Sequence, residues 1–235
     1  NSAILKQSLP MIKHTMIGCS NNLGGGIVEW YKQAFYSNTS AGYTEITNDA
    51  QESTEGANGL IFLPFLLGER APFTDKEIRG TFFGINRESH RKDFARAVFE
   101  STAYVTNDLL GTIRNEDFKI KALSVSGGLA RIDLINQIKA DVTNLPVKVI
   151  DNFESTSLGA FILVRVSLGH YDTVHSAAAD LVLIRKTIFP NKENTEIYSE
   201  AFSLYREITK LTRSIGTSHK KLTMRIQKYS STTLR

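Results

Sequence analysis

The sequence predicts an α/β domain whose strands are covered by helices. Three observations carry that expectation. From Ile120 onward the pattern alternates strand, glycine turn, helix, strand, helix, the order that brings parallel strands together in a layered structure. Two short apolar runs bounded by Gly or Pro, Leu60 to Leu67 and Gly80 to Ile85, read as buried strands. Between those two regions, Asp93 to Thr112 places Phe94, Ala97, Val98, Ser101, Val105 and Leu109 on a helical period behind an acidic residue suited to a helix N-terminus.

Asn21 to Gly26 is a polar, glycine-rich turn, and the helix after it, Ile27 to Phe35, gathers Ile27, Trp30, Tyr31 and Ala34 on one face. Asn38 to Asn58 is rich in Ser, Thr, Asn and Glu and reads as a surface turn or short helix; Gly68 to Arg79 reads as a loop. Ala122 to Val125 is a short strand, after which Gly127 and Gly128 turn the chain into the amphipathic segment Asp133 to Thr143. Pro146 to Ile150 is a strand, and Ser155 to Leu168 is a small-residue helix ending near Gly169. A last helix, from about Glu193 to Ile215, repeats Ile197, Ala201, Leu204, Ile208 and Leu211. Residues 216–235 read as a basic tail, disordered or atypical, beyond a domain spanning 1–215.

Composition narrows the classes of function. The 235 residues, 41% of them hydrophobic, support a sizeable core. The longest apolar run, Leu60 to Leu67, is too short for a membrane helix and is interrupted by Pro64. The first residue is Asn1 and nothing up to Cys19 resembles a secretory signal, so the chain is expected to be a fragment. A single cysteine, Cys19, cannot form an internal disulfide and points to a reducing cytoplasm. The net charge of +4 belongs to the end of the chain, where Lys220, Lys221, Arg225, Lys228 and Arg235 stand without an acid. With no aromatic-interleaved basic patch behind them, a nucleic-acid partner is not expected.

Gly127 and Gly128 sit at a strand-to-helix turn, where a missing Cβ allows positive φ and close approach of a ligand to the backbone. On residues alone, this pair is either a plain turn or a ligand-facing one. Gly24, Gly25 and Gly26 leave the same choice between a phosphate-facing loop and a flexible connection. Glu69, Arg70 and Asp75 read first as structural, with Glu69 and Arg70 an internal ion pair. His14, His90, His170, His175 and His219 are scattered without metal-ligand spacing, so no metal site is expected on protein side chains. Ser126 lacks the Gly-x-Ser-x-Gly context of a hydrolase nucleophile.

One motif spans several of these elements. Gly80, Phe82, Gly84 and Ile85 are followed, after seven intervening residues, by Asp93, Phe94, Ala97, Val98, Phe99 and Glu100; Ser126 to Gly128, Gln137 to Val142 and Glu154 to Ala160 come next. This series resembles the C-terminal half of the FGGY carbohydrate kinases, over roughly Met16 to Ile215. The resemblance implies an actin-like, ribonuclease-H-like α/β domain with a mixed sheet flanked by helices. It implies ATP and Mg2+ as cofactors and transfer of the γ-phosphoryl group to a hydroxyl of a sugar or sugar acid. It makes Gly127 and Gly128 the adenosine-side loop and Gly25 the phosphate-contacting position. Ile132 stands where the family usually has a small polar residue, so a side-chain hydrogen bond to the base would be lost. Glu29 stands where glycerol kinases carry glutamine, and beside phosphates it would need a magnesium ion or lysine to intervene.

By the same resemblance, the general-base aspartate and most sugar contacts belong to an N-terminal domain absent from this chain, so no catalytic residue is expected here. Asn21-Asn22 and the Gly68 to Pro72 segment look nearest to gluconate kinases, with xylulose kinases close behind. The resemblance also allows a homodimer. Two other readings stand beside it: a non-catalytic actin-like nucleotide-binding module, and a nucleic-acid or membrane-surface binder working through the basic tail.

Overall fold

The computed structural model describes residues 4–9, 14–22, 24–37, 42–114 and 118–233. Strands β1 (Leu5–Leu9) and β2 (His14–Gly18) form an antiparallel hairpin. Helices α1 (Gly26–Phe35) and α2 (Tyr43–Glu52) lead to β3 (Ile61–Leu63) and β4 (Thr81–Phe83), which pair antiparallel with Phe62 opposite Phe82. Helix α3 (Arg91–Arg114) is followed by β5 (Leu123–Val125), α4 (Asp133–Thr143), β6 (Val147–Ile150), α5 (Ser155–Ser167), α6 (Val174–Leu181), β7 (Ile184–Ile188) and α7 (Lys192–Thr233). β5 and β6 pair in parallel, as the alternating pattern implied, and β7 adds to β6 antiparallel, giving a mixed sheet.

The core gathers α1, α2, β3, α3, α4 and α7 around buried Tyr31, Phe62, Phe99, Tyr104, Tyr198 and Tyr205. An aromatic series fixes the entry to α1. Trp30 stacks on Phe62 (5.7 Å, 7°), Phe62 on Phe82 (4.3 Å), and Phe82 meets Phe94 edge-on. Offset or edge contacts of this kind are each worth about 0.5–1.5 kcal/mol beyond burial. The series joins α1, β3, β4 and α3, and so holds the glycine turn ahead of α1 in a fixed place.

The acids of the sequence motif have architectural work. Asp93 is buried at the start of α3, where it accepts from the His90 N–H (2.8 Å), Ser53 Oγ (2.7 Å) and Asn58 Nδ2 (2.7 Å). Burial alone would raise its pKa, but these bonds outweigh it and hold the carboxyl below its usual range. Glu100, fully buried about two turns further along nearly the same face, accepts from Arg96 Nε (3.0 Å), Tyr198 Oη (2.9 Å) and the Gly56 N–H (2.9 Å). Arg96 also donates to Tyr198 Oη (2.7 Å), so one ionic cluster ties α7 and the 53–59 turn to α3. Gly84 has φ +90°, and a Cβ there would stand 2.5 Å from the Gly59 carbonyl oxygen. Only glycine fits that crossing.

Several expectations change. The strand expected over Leu60 to Leu67 is confined to Ile61–Leu63, because the chain turns at Pro64 and leaves Leu67 exposed. The strand expected over Gly80 to Ile85 is Thr81–Phe83; it is not buried, since a two-stranded ribbon covers only the face bearing Phe82, and Phe83 and Ile85 face out. Within the segment read as a surface turn, α2 is a ten-residue helix with Ile46 and Ala50 buried. α6 and β7 were not foreseen: β7 sets Arg185, Lys186 and Thr187 between two isoleucines, a charged composition suited to an edge strand, and α6 is fixed by a Thr173–Ser176 capping box.

The expected end of the last helix near Ile215, with a disordered or atypical tail beyond it, gives way to a helix continuing to Thr233. Its later residues include Lys, Leu, Met, Arg and Gln, good helix formers without proline. Arg213 meets Asp75 at 3.3 Å and Lys220 meets Glu77 at 2.6 Å, attaching the helix to the loop between β3 and β4.

Candidate functional site

The two glycine turns, more than a hundred residues apart, meet. Gly25 precedes α1 in helical geometry (φ −65°, ψ −20°), and a Cβ built on it would stand 3.6 Å from Leu129 Cγ. Leu129 belongs to the one-turn 3-10 helix Gly128–Arg131 that follows β5. Its approach closes one wall of a cleft of about 830 Å3 lined by Gly24, Gly25, Gly26, Glu29, Ser126, Gly127, Gly128, Leu129 and Ile132, together with Thr102, Val105, Thr106 and Leu109 of α3. That volume suits a ligand of nucleotide size.

Each turn is held from behind. Gly127 adopts φ +83°, ψ −174°, a region open in practice to glycine alone, and donates its N–H to the Phe153 carbonyl (3.0 Å). Ser126 Oγ donates to Ser155 Oγ (2.9 Å) at the start of α5. Buried Asn136 of α4 donates to the Ala130 carbonyl (2.8 Å), pinning the 3-10 turn. A Cβ added at Gly128 would meet no protein atom within 4 Å, so that backbone faces open cleft. At the other turn, the N–H groups of Ile27 and Val28 donate to the carbonyls of Gly24 (3.4 Å) and Gly25 (3.2 Å), and the helix dipole places positive charge at the same point. Here a 3-10 turn, not the helix itself, follows Gly128; α4 begins at Asp133.

All three expected site residues, Gly25, Gly127 and Gly128, therefore line one cleft. Ile132 lines it too, at the N-cap of α4, without a side-chain cap. Glu29 accepts from Tyr43 Oη (2.5 Å) and Gln33 Nε2 (3.0 Å), with Lys32 Nζ at 3.8 Å. The hydrogen bond from Tyr43, then that from Gln33, holds its carboxyl below the usual range.

Glu69 and Arg70 form no ion pair. The Glu69 carboxylate is buried and accepts from the N–H groups of Arg70 (2.7 Å) and Asn22 (3.2 Å), while the Arg70 side chain is exposed. Burial pushes the Glu69 carboxyl up, against these bonds. Backbone donors come at no cost in side-chain entropy, which explains why they replace the expected guanidinium. The bond to Asn22 makes Glu69 a support for the glycine turn. Asp75 is likewise structural, accepting from the N–H groups of Glu77 (2.9 Å) and Ile78 (3.1 Å) and from Arg213.

Sequence reasoning missed the α3–α4 wall. Thr102 and Thr106 are one turn apart on α3, and Lys139 comes from α4. No motif marks them, because they converge only in space. Among the described residues, no group of three His, Cys, Asp or Glu is arranged to hold a metal ion, and no helix is long and apolar enough to cross a membrane.

Comparison with known proteins gives this cleft a context. Residues 10–168 match the FGGY family of carbohydrate kinases, C-terminal domain. The chain is 36% identical over 191 residues to the xylulose kinase of Staphylococcus epidermidis, covering 81% of this chain and 38% of that protein. In three dimensions it resembles the ligand-bound xylulose kinase of Lactobacillus acidophilus, with a TM-score of 0.80, 27% identity and coverage of 93% of this chain and 46% of the other. The gluconate kinase of the same organism superposes with a TM-score of 0.79 at 27% identity and the same coverage. The chain thus spans less than half the length of these relatives, and the mixed-sheet domain described above is their actin-like fold. With a family match across more than half of its residues, the chain belongs to the FGGY family of carbohydrate kinases, in their C-terminal domain.

Proposed function

We propose that this chain supplies the nucleotide-binding half of an ATP-dependent carbohydrate kinase, which transfers a phosphoryl group to a hydroxyl of a sugar or sugar acid. The observation that carries the reading is the convergence of Gly25 with Gly127 and Gly128 on one cleft. In this reading, the backbone at Gly127 and Gly128 contacts the adenosine, and the α1 N-terminus at Gly25 contacts the phosphates, where the helix dipole favours an anion. Among the described residues, the only carboxylate lining the cleft is that of Glu29, already occupied by Tyr43, Gln33 and Lys32. Mg2+ would therefore be held mainly through the phosphates and water. When bound, the ion neutralises charge developing on the transferred group.

In the same reading the general base belongs to an N-terminal domain outside this chain. A second feature supports such a partner. On α5 only Ile162 is buried, and Phe161, Leu163, Val164 and, just beyond, Leu168 are exposed. In the three-stranded sheet, β5 has one unpaired edge. Exposed apolar helix residues and an open sheet edge are what remain when a covering layer is absent. Xylulose and gluconate are the acceptors to try first, given the relatives. We place the protein in the cytoplasm, where its single cysteine stays reduced.

Calorimetric titration with Mg-ADP, comparing wild type with Gly128→Val, tests the reading. Valine at 128 meets only cleft space, so the variant should fold normally and lose binding at least about tenfold, the effect of a lost close backbone approach. Equal binding by both proteins would remove the nucleotide from this turn. The lack of a free carboxylate among the described residues of the cleft also favours a second reading, a non-catalytic nucleotide-binding module. Sugar phosphorylation on adding the N-terminal half of a relative would eliminate it.

A further inference from the structure

Lys139 is a cation in the cleft for which the nucleotide reading has no use. It stands on α4 seven residues after Ile132, close to two helical turns and so on nearly the same face, and both side chains line the cleft. Burial alone acts on its ammonium, lowering its pKa, and among the described residues no carboxylate lies within ion-pair distance of it.

The hydroxyls of this wall offer little to donate. Thr102 Oγ1 gives its proton to the Phe99 carbonyl (2.8 Å), and Thr106 Oγ1 gives its proton to the Thr102 carbonyl (2.8 Å), so both hydroxyls can only accept. Arg131 is stacked over the Phe153 ring at 4.5 Å. Val105, Leu109, Leu129 and Ile132 are apolar. The slot therefore presents apolar surface for a flat ring and cationic donors that cannot accept, the Lys139 ammonium and the exposed Arg131 guanidinium. A 6-oxopurine offers O6 and N7 as adjacent acceptors to such a donor, whereas adenine sets its own N6 amino donor against it.

We propose that Lys139 makes this cleft take 6-oxopurine nucleotides, guanosine or inosine phosphates, at least as tightly as adenosine phosphates. The proposal rests on the nucleotide-binding reading above and adds a base preference to it. ADP and IDP are the probes, because at purine position 6 they differ only in amino against oxo.

The 235-residue chain would be titrated calorimetrically with Mg-IDP and Mg-ADP as wild type, Lys139→Met and Lys139→Arg. Wild type should bind IDP at least as tightly as ADP. Lys139→Met should weaken IDP about tenfold and change ADP by less than about threefold, the discrimination one bidentate base contact provides. Lys139→Arg keeps a donor and should keep the IDP affinity. If wild type binds ADP more tightly than IDP, or if Lys139→Met weakens both equally, the base preference is overturned while the nucleotide reading stands. If a folded chain binds neither nucleotide, the nucleotide reading falls and this inference with it.

Discussion

Replacing Glu100 by alanine tests whether the family motif acts here as architecture. The substitution leaves the Arg96 guanidinium, whose side chain is 5% exposed, beside an empty carboxylate site. It also orphans the Gly56 N–H and two tyrosine hydroxyls, those of Tyr198 and Tyr104, that donate to the carboxylate. Removing one member of a buried pair costs about 3–5 kcal/mol, a large share of the roughly 5–15 kcal/mol that holds a domain together. With a urea slope of about 2 kcal/mol per M, the midpoint should fall by about 2 M. Trp30 is the single tryptophan and stacks on Phe62 in the core, so its fluorescence reports the transition. Arg96→Met combined with Glu100→Leu removes both charges and should recover at least half of the loss. A single-variant loss below about 1 kcal/mol, or a double variant as unstable as the sum of the singles, would refute the reasoning.

Further outcomes follow from other contacts. Gly84→Ala should cost about 1–3 kcal/mol in the same urea assay, because φ +90° is strained for alanine and the Gly59 carbonyl lies 2.5 Å from the new Cβ. Asp93 has a folded pKa below its unfolded value, so its stabilising effect is complete above about pH 4 and fades as pH falls through the lower folded value. Asp93→Asn should therefore flatten the acid side of a stability-versus-pH curve; an unchanged slope would contradict the assignment. Lys220→Ala breaks a half-exposed pair with Glu77 and should change stability by less than about 1 kcal/mol, with circular dichroism reporting unchanged helix content.

The sequence revealed most where one segment carries its own pattern. Asp133 to Thr143 could be read to the residue because its apolar period, its acidic start and the Asn144 αL cap agree locally. The glycine turns were legible as turns, and a resemblance assigned them roles, but nothing in sequence could show Leu129 reaching Gly25. The ion pair expected of Glu69 failed for a related reason: its partners are backbone N–H groups, one of them 47 residues away at Asn22, and backbone donors have no sequence signature. The end of α7 was misjudged because a run of unpaired positive charge reads as a solvated tail. Its counter-charges, Asp75 and Glu77, lie in a loop 138 and 143 residues upstream of their partners.

Helix α3 makes folding and ligand binding one problem. Its first half buries Asp93, Arg96 and Glu100, which bind the 53–59 turn and α7, while Thr102, Val105, Thr106 and Leu109 in its second half line the cleft. The two sets sit on one rigid rod, so loosening the ionic cluster displaces the cleft wall, and a ligand bound in the cleft must hold the cluster in place. By mass action, a ligand at a hundred times its dissociation constant adds about 2.7 kcal/mol to the folded state. That is close to the cost expected for Glu100→Ala. Saturating nucleotide should therefore restore most of the urea midpoint lost in Glu100→Ala, and should do nothing for a Glu100→Ala/Gly128→Val double variant whose cleft is blocked.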